Sequence, residues 1–127
     1  MWSLETMIVT TSSIKNLEDL DKLMDKIDGL YDESKKFVIQ EIISNSIKYS
    51  GNVKVILNGI TIEVIQKGGD INKLQEAIND VEICIKKKKV EKNFGLNMIR
   101  LLGWKIQGLF QEDDNVHIVF QKIAPTI

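Results

Sequence analysis

Apolar and polar positions alternate along this chain in two periods, and the switches between them mark its elements. Thr6-Met7-Ile8-Val9-Thr10-Thr11 is rich in β-branched residues and reads as a strand. Asn16 then offers a helix N-cap, with Asp19 three residues later in the acidic place of a capping box. Leu17, Leu20, Met24 and Ile27 recur at helical spacing while Asp21, Lys22, Asp25 and Lys26 face out. This predicts an amphipathic helix that ends near Gly29. Asp32, Glu33 and Ser34 open a second helix, where acidic side chains complement the positive end of the helix dipole. Val38, Ile39, Ile42, Ile43 and Ile47 fill one broad arc of it, and Gly51 supplies the stop.

The second half of the chain is richer in turns. Val53–Leu57 and Ile60–Ile65 flank Asn58-Gly59, the strongest short hairpin signal, because both turn positions favour positive φ. Gly68-Gly69 ends the second of these strands. Ile71–Ile78 predicts a short helix, and Lys86-Lys87-Lys88-Lys89 falls in a connection without periodicity. Leu96, Ile99, Arg100 and Leu101 begin a helix that stops at Gly103. Trp104–Phe110 and Val116–Ile123 read as strands around the polar loop Gln111–Asn115. The order β-α-α-β-β-α-α-β-β predicts an α+β fold. It would be a two-layer α/β sandwich with helices on one face of a mixed, mainly antiparallel sheet.

Composition narrows the class. The 127 residues are enough for one domain with its own core, so a single domain over 1–127 is expected. A formal net charge of −1 gives no basic excess to recruit nucleic acid. The single Cys84 has no partner for an internal disulfide, which fits a reducing compartment, and it reads as a small buried hydrophobe. No apolar run approaches the roughly 20 residues that span a bilayer. Met1-Trp2-Ser3-Leu4-Glu5 lacks the basic and apolar regions of a secretion signal. A cytoplasmic protein, with neither membrane nor nucleic acid as a direct partner, is expected.

Candidate chemistry lies on the second helix. Glu41, Asn45 and Lys48 are spaced i, i+4, i+7 and stack along one stripe away from the isoleucines. Any amphipathic helix carries a polar face for solubility. This combination also suits a metal-bound phosphate. The Glu41 carboxylate can take a proton from water. The Asn45 amide oxygen can ligate Mg²⁺, a hard cation usually bound beside substrate phosphates. The Lys48 ammonium can offset phosphate charge.

Gln40-Glu41-Ile42-Ile43-Ser44-Asn45-Ser46-Ile47-Lys48-Tyr49-Ser50 resembles the asparagine-box helix of the histidine kinase-like (GHKL) ATPases. Glu41, Asn45, Lys48, Tyr49 and Ser50 each fit its pattern of Glu, Asn, Lys or His, an aromatic and a small residue. The resemblance implies the Bergerat-type ATPase fold and covers nearly the whole chain. In that family an Asp followed by Gly-x-Gly reads adenine. Here Gln66 stands at the Asp, Gly68 matches, and Asp70 replaces the later Gly. A glycine-rich run then enters the last helix. Gly95, Leu96 and Arg100 fit it, while Glu91 and Asn93 replace glycines.

The implied roles follow residue by residue. Glu41 would be the general base, Asn45 the Mg²⁺ ligand and Lys48 a phosphate contact. Gln66 and Gly68 would face adenine, and Gly95 and Leu96 would lie at the phosphates. Lys86–Lys89 falls where the family has a mobile lid, so the segment from Asp80 to Asn93 is expected to be the least ordered internal stretch. The stand-alone size is similar to that of the bacterial anti-sigma-factor serine kinases. That branch implies ATP and Mg²⁺ as cofactors, a sigma-like factor or its antagonist as protein partner, homodimerisation and serine kinase activity. The alternative is a degenerate domain of the same fold that has lost productive ATP binding and acts only as a protein-binding module. His117, alternating with Val116 and Ile118, reads as structural or solvent-facing, and Trp2 and Trp104 as core or interface residues.

Overall fold

The computed structural model describes residues 10–123. Its elements are strand β1 (Thr10–Ile14), helices α1 (Leu17–Ile27) and α2 (Glu33–Tyr49), and strands β2 (Val53–Leu57) and β3 (Thr61–Lys67). Helices α3 (Ile71–Lys87) and α4 (Phe94–Leu101) and strands β4 (Trp104–Glu112) and β5 (Asn115–Lys122) follow. The order is the one expected. Trp2 and the Thr6–Val9 part of the expected first strand lie outside the described residues, and β1 runs on through Ser12 and Ser13 to Ile14.

The fold is α+β, with one sheet in the order β1-β2-β3-β5-β4. Among the described residues every neighbouring pair is antiparallel, which corrects the expectation of a mixed sheet. The reason is topological. After β3 the chain leaves through α3 and α4 and returns as β4 at the far edge. Its hairpin partner β5 then fills the place beside β3, so β4 never meets the strand it would parallel. Register aligns Leu57, Ile62 and Phe120 in one row, Val55, Val64 and Ile118 in the next, and Val53, Gln66 and Val116 in the third. All nine side chains are buried on the same face, the one against which the helices pack. Val38, Ile39, Ile42 and Ile43 of α2 join them in one core cluster. The opposite face carries Lys54, Ile65, His117 and Phe110 in a row. There the His117 ring stacks on Phe110 at 4.5 Å and its Nδ1 lies 3.4 Å from Glu63.

Local signals explain most helix ends. Asn16 caps α1 by accepting from the Asp19 amide, and Asp19 accepts in turn from Lys15, one residue before the N-cap. The buried edge of α1 is Leu20, Leu23 and Ile27, while Leu17, in its first turn, is 65% exposed. Asp32 caps α2 through the Lys35 amide. The Lys35 side chain is buried: its ammonium donates to the Asn58 carbonyl and sits 3.7 Å from the centre of the Tyr31 ring and 5.5 Å from that of Trp104. Lys36, next to it, bridges Asp28 at 2.7 Å and Glu33 at 2.8 Å.

That bridge makes a pH prediction. The hydrogen bond from Lys36 holds the Asp28 carboxyl below its ordinary value, and the bonds to Asp28 and then Glu33 push Lys36 up to about 12. The Asp28 contribution is present above its unfolded pKa and is lost as pH falls through the depressed folded value. The Lys36 contribution is present below 10.5 and is lost as pH rises through about 12. In an NMR titration Asp28 titrates below the usual carboxylate range, and Lys36→Met brings it back up. An Asp28 that titrates identically in both proteins contradicts the bridge.

One turn and two helix ends depart from expectation. Asn58-Gly59 is a hairpin turn, but neither residue has positive φ. The Asn58 side chain closes the turn instead, accepting from the Ile60 and Thr61 amides at 2.9 Å each. α2 stops without a left-handed glycine at Gly51. Ser50 ends it, and its hydroxyl donates to the Asn52 carbonyl and accepts from the Lys67 amide, tying the end of α2 to the end of β3. α3 runs 17 residues, well past Ile78. Asp70 caps its start through the Asn72 and Lys73 amides. Lys86 and Lys87 complement the negative end of its dipole, and Lys88 ends it in the left-handed conformation at φ 56°. The lysine run is therefore largely a helix terminus. Residues 80–87 of the expected loose segment are helical, and only 88–93 connect α3 to α4.

Candidate functional site

A cavity of about 570 Å³ lies between α2, α3, α4 and the buried face of the sheet. That is within the range of small-molecule sites. α2 contributes Glu41, Ile42, Asn45 and Ser46 to its wall. Gln66, Gly69, Ile106, Ile118 and Phe120 come from the sheet and its edge. Asp70, Lys73, Leu74 and Ala77, spaced i, i+3, i+4, i+7, form the α3 side, and Asn93, Gly95, Leu96 and Ile99 the α4 side. A second crevice, beside Ile78 and Arg100, holds about 20 Å³, room for little more than one water.

Of the candidate residues, Glu41, Asn45, Gln66, Gly95 and Leu96 line this one cavity, while Lys48 and Gly68 do not. Helix geometry accounts for Lys48. At about 100° per residue with Glu41 as origin, Asn45 falls near 40°, Ile42 near 100° and Ser46 near 140°. Lys48 falls at about −20°, on the far side of Glu41 from the cavity, and its side chain is exposed. Gly68 serves the turn. Its φ is +81°, its amide donates to the Asp114 carbonyl at 2.7 Å, and its carbonyl accepts from Gln66 Nε2 at 3.4 Å. Lys73 is the cation in the wall, one turn into α3, and a single sequence offers no periodic signal that would have singled it out.

Gly95 sets the tightest approach in the site. A Cβ there would lie 2.6 Å from Glu41 Oε1 and 3.5 Å from Asn45 Nδ2, so with the start of α4 this close only a glycine leaves the Glu41 carboxylate where it stands. Where glycines were expected upstream, Asn93 supplies the same backbone freedom. It adopts φ 55°, a left-handed conformation that Asn tolerates better than most residues. Its side chain makes no capping bond, which leaves the first amides of α4 without that acceptor. Asn97, buried one turn on, donates to the Lys92 and Asn93 carbonyls at 3.0 Å and pins the loop. Arg100 pairs with Glu82 at 2.9 Å and Lys92 with Asp80 at 3.0 Å, so two ion pairs tie α4 and its loop to α3. The bond to Asp80 holds the Lys92 ammonium above its ordinary pKa.

At the other part of the wall, Gln66 is 4% exposed and sits among Val53, Val116 and the glycines that end β3. A Cβ on Gly69 would lie 2.8 Å from its Nε2. Among the described residues no group of three or more His, Cys, Asp or Glu side chains could hold a metal ion by itself. Asn45 fits a different arrangement, in which a hard cation takes one protein oxygen and the rest from phosphate and water.

No protein-family model matches the chain, and neither a curated protein nor a solved structure matches it.

Proposed function

We propose that the chain is a nucleotide-binding regulator of the histidine kinase-like ATPase type, with a Bergerat-type fold. It would act as an anti-sigma-factor-like serine kinase on a protein partner, in the cytoplasm and as a homodimer. One observation carries the reading. Three segments far apart in sequence, the Glu41/Asn45 stripe, the end of β3 and the start of α4, converge on a single cavity, and Gly95 abuts Glu41 within it. Phosphoryl transfer is mostly positioning and charge neutralisation, and the residues suit that division of labour. Glu41 accepts the proton of the attacking hydroxyl, a serine of the partner. Asn45 would hold a Mg²⁺ bound with the triphosphate, which would offset part of the phosphate charge. The uncapped first amides of α4, Gly95 and Leu96 among them, face phosphate, as helix N-termini do. Lys73, rather than Lys48, supplies the cation. Gln66 takes the base, with Leu74, Ala77 and Ile118 as apolar walls.

The rival reading is a protein-binding module of the same fold. Lys48 lying outside the cavity, and Glu91 and Asn93 in place of glycines, favour it. Thermal denaturation with Mg-ATP separates the two. Bound nucleotide at about 100 times its dissociation constant adds roughly 2.7 kcal/mol to the stability of the native state, a rise of several degrees in Tm. An unchanged Tm at millimolar Mg-ATP replaces the kinase with the binding module.

A further inference from the structure

We infer that Gln66 makes the cavity accept 6-amino and 6-oxo purine nucleotides alike. This rests on the nucleotide-binding reading and adds the substrate class. The apolar walls from Leu74, Ala77, Leu96, Ile106 and Ile118 suit a flat heterocycle, and Gln66 is the buried carboxamide among them. Among the described residues its Nε2 is held only by the Gly68 carbonyl, at 3.4 Å, near the limit for a hydrogen bond. Among the described residues its Oε1 accepts no hydrogen bond. The side chain is thus 4% exposed, lines the cavity, and carries donor and acceptor whose order is set by that one long hydrogen bond.

That order is what a purine edge reads. Adenine presents a donor, its 6-amino group, beside an acceptor, N1. Hypoxanthine and guanine present the reverse, an acceptor O6 beside a donor N1–H. A carboxamide satisfies either edge by rotating its last torsion through half a turn, and that torsion is broad and roughly two-fold. In this site the rotation trades one long hydrogen bond for Oε1 facing the Gly68 carbonyl oxygen at a similar separation, a modest cost because that bond is already near the limit of its geometry. A site whose polar groups are locked in one order rejects the opposite edge by roughly 10⁴, because buried groups are then left unpaired.

The test is calorimetric titration of the full chain with Mg-ATP and Mg-ITP, which differ only at this edge. The expected result is two dissociation constants within about tenfold of each other. In Gln66→Met, which keeps the shape and removes both hydrogen-bonding groups, both weaken by about tenfold, the scale of one or two net hydrogen bonds. Circular dichroism checks that the variant is folded, and the wild-type comparison stands without it. ATP and ITP affinities that differ by much more than tenfold overturn the inference and leave nucleotide binding intact. So does a folded Gln66→Met that binds both as wild type does. Binding of neither nucleotide by the wild type overturns the nucleotide reading itself.

Discussion

Trp104→Ala lowers the free energy of unfolding by about 3–5 kcal/mol, the range for truncating a buried aromatic residue. Trp104 opens β4 and is 1% exposed, the largest fully buried side chain among the described residues. Its ring packs in the core and also faces the Lys35 ammonium at 5.5 Å. Truncation therefore opens a cavity and strips an aromatic face from a buried cation, and both effects act in the same direction. A domain of this size has a total stability of about 5–15 kcal/mol, so the variant approaches the unfolding threshold at room temperature. Urea denaturation followed by circular dichroism measures the loss. A change under about 1 kcal/mol means that the ring is not in the core. The double variant with Lys35→Met tests the pairing: its loss is smaller than the sum of the single losses, because removing the cation removes the penalty of leaving it uncovered.

Gly95→Ala gives the second large effect, on function rather than on stability. The added methyl meets Glu41 Oε1 at 2.6 Å, too close for any real contact. The struck atom is the end of a flexible side chain, so the backbone stays and the carboxylate moves. Under the proposed function Glu41 is the general base, and a base displaced by about 1 Å costs on the order of 10²-fold in rate. The expected outcome is a Tm within a few degrees of wild type and a phosphoryl-transfer rate down by about two orders of magnitude. Gly51→Ala is the matched control, because a Cβ there meets nothing within 4 Å. Single-turnover transfer of labelled phosphate to a protein acceptor reads the rate, and hydrolysis to inorganic phosphate serves where no acceptor is in hand. Equal rates in the two variants remove Glu41 from the reaction.

The element order was legible in the residues because each element announces itself locally. Asn16 and Asp32 cap through side chains a few residues away, and the isoleucine arc of α2 needs no knowledge of what covers it. The Glu41/Asn45 pairing on one stripe is also local, a matter of helical pitch.

What local pattern mis-stated was geometry that depends on a neighbour. Asn-Gly suggested positive φ, and the Asn58 carboxamide closed the turn another way, while the Asn58 carbonyl is held by the buried Lys35 from α2. The lysine run looked like a loop because charge hides helical periodicity. Its helix ends where Lys88 turns left-handed, and contacts from α4 and the loop before it, Arg100 to Glu82 and Lys92 to Asp80, brace it from the side.

Pitch placed Glu41, Asn45 and Lys48 on one helical stripe and set their order. Which edge of that stripe meets the cavity was decided by the rotation of α2 about its axis, fixed by isoleucines sinking into the sheet and by Ser50 bonding to Lys67. That rotation turned Ile42 and Ser46 inward and left Lys48 outside, and α3 brought Lys73 to the wall. A helix carries its own periodicity within its sequence, but its angle of rotation against a sheet is a property of both surfaces and exists only once they pack.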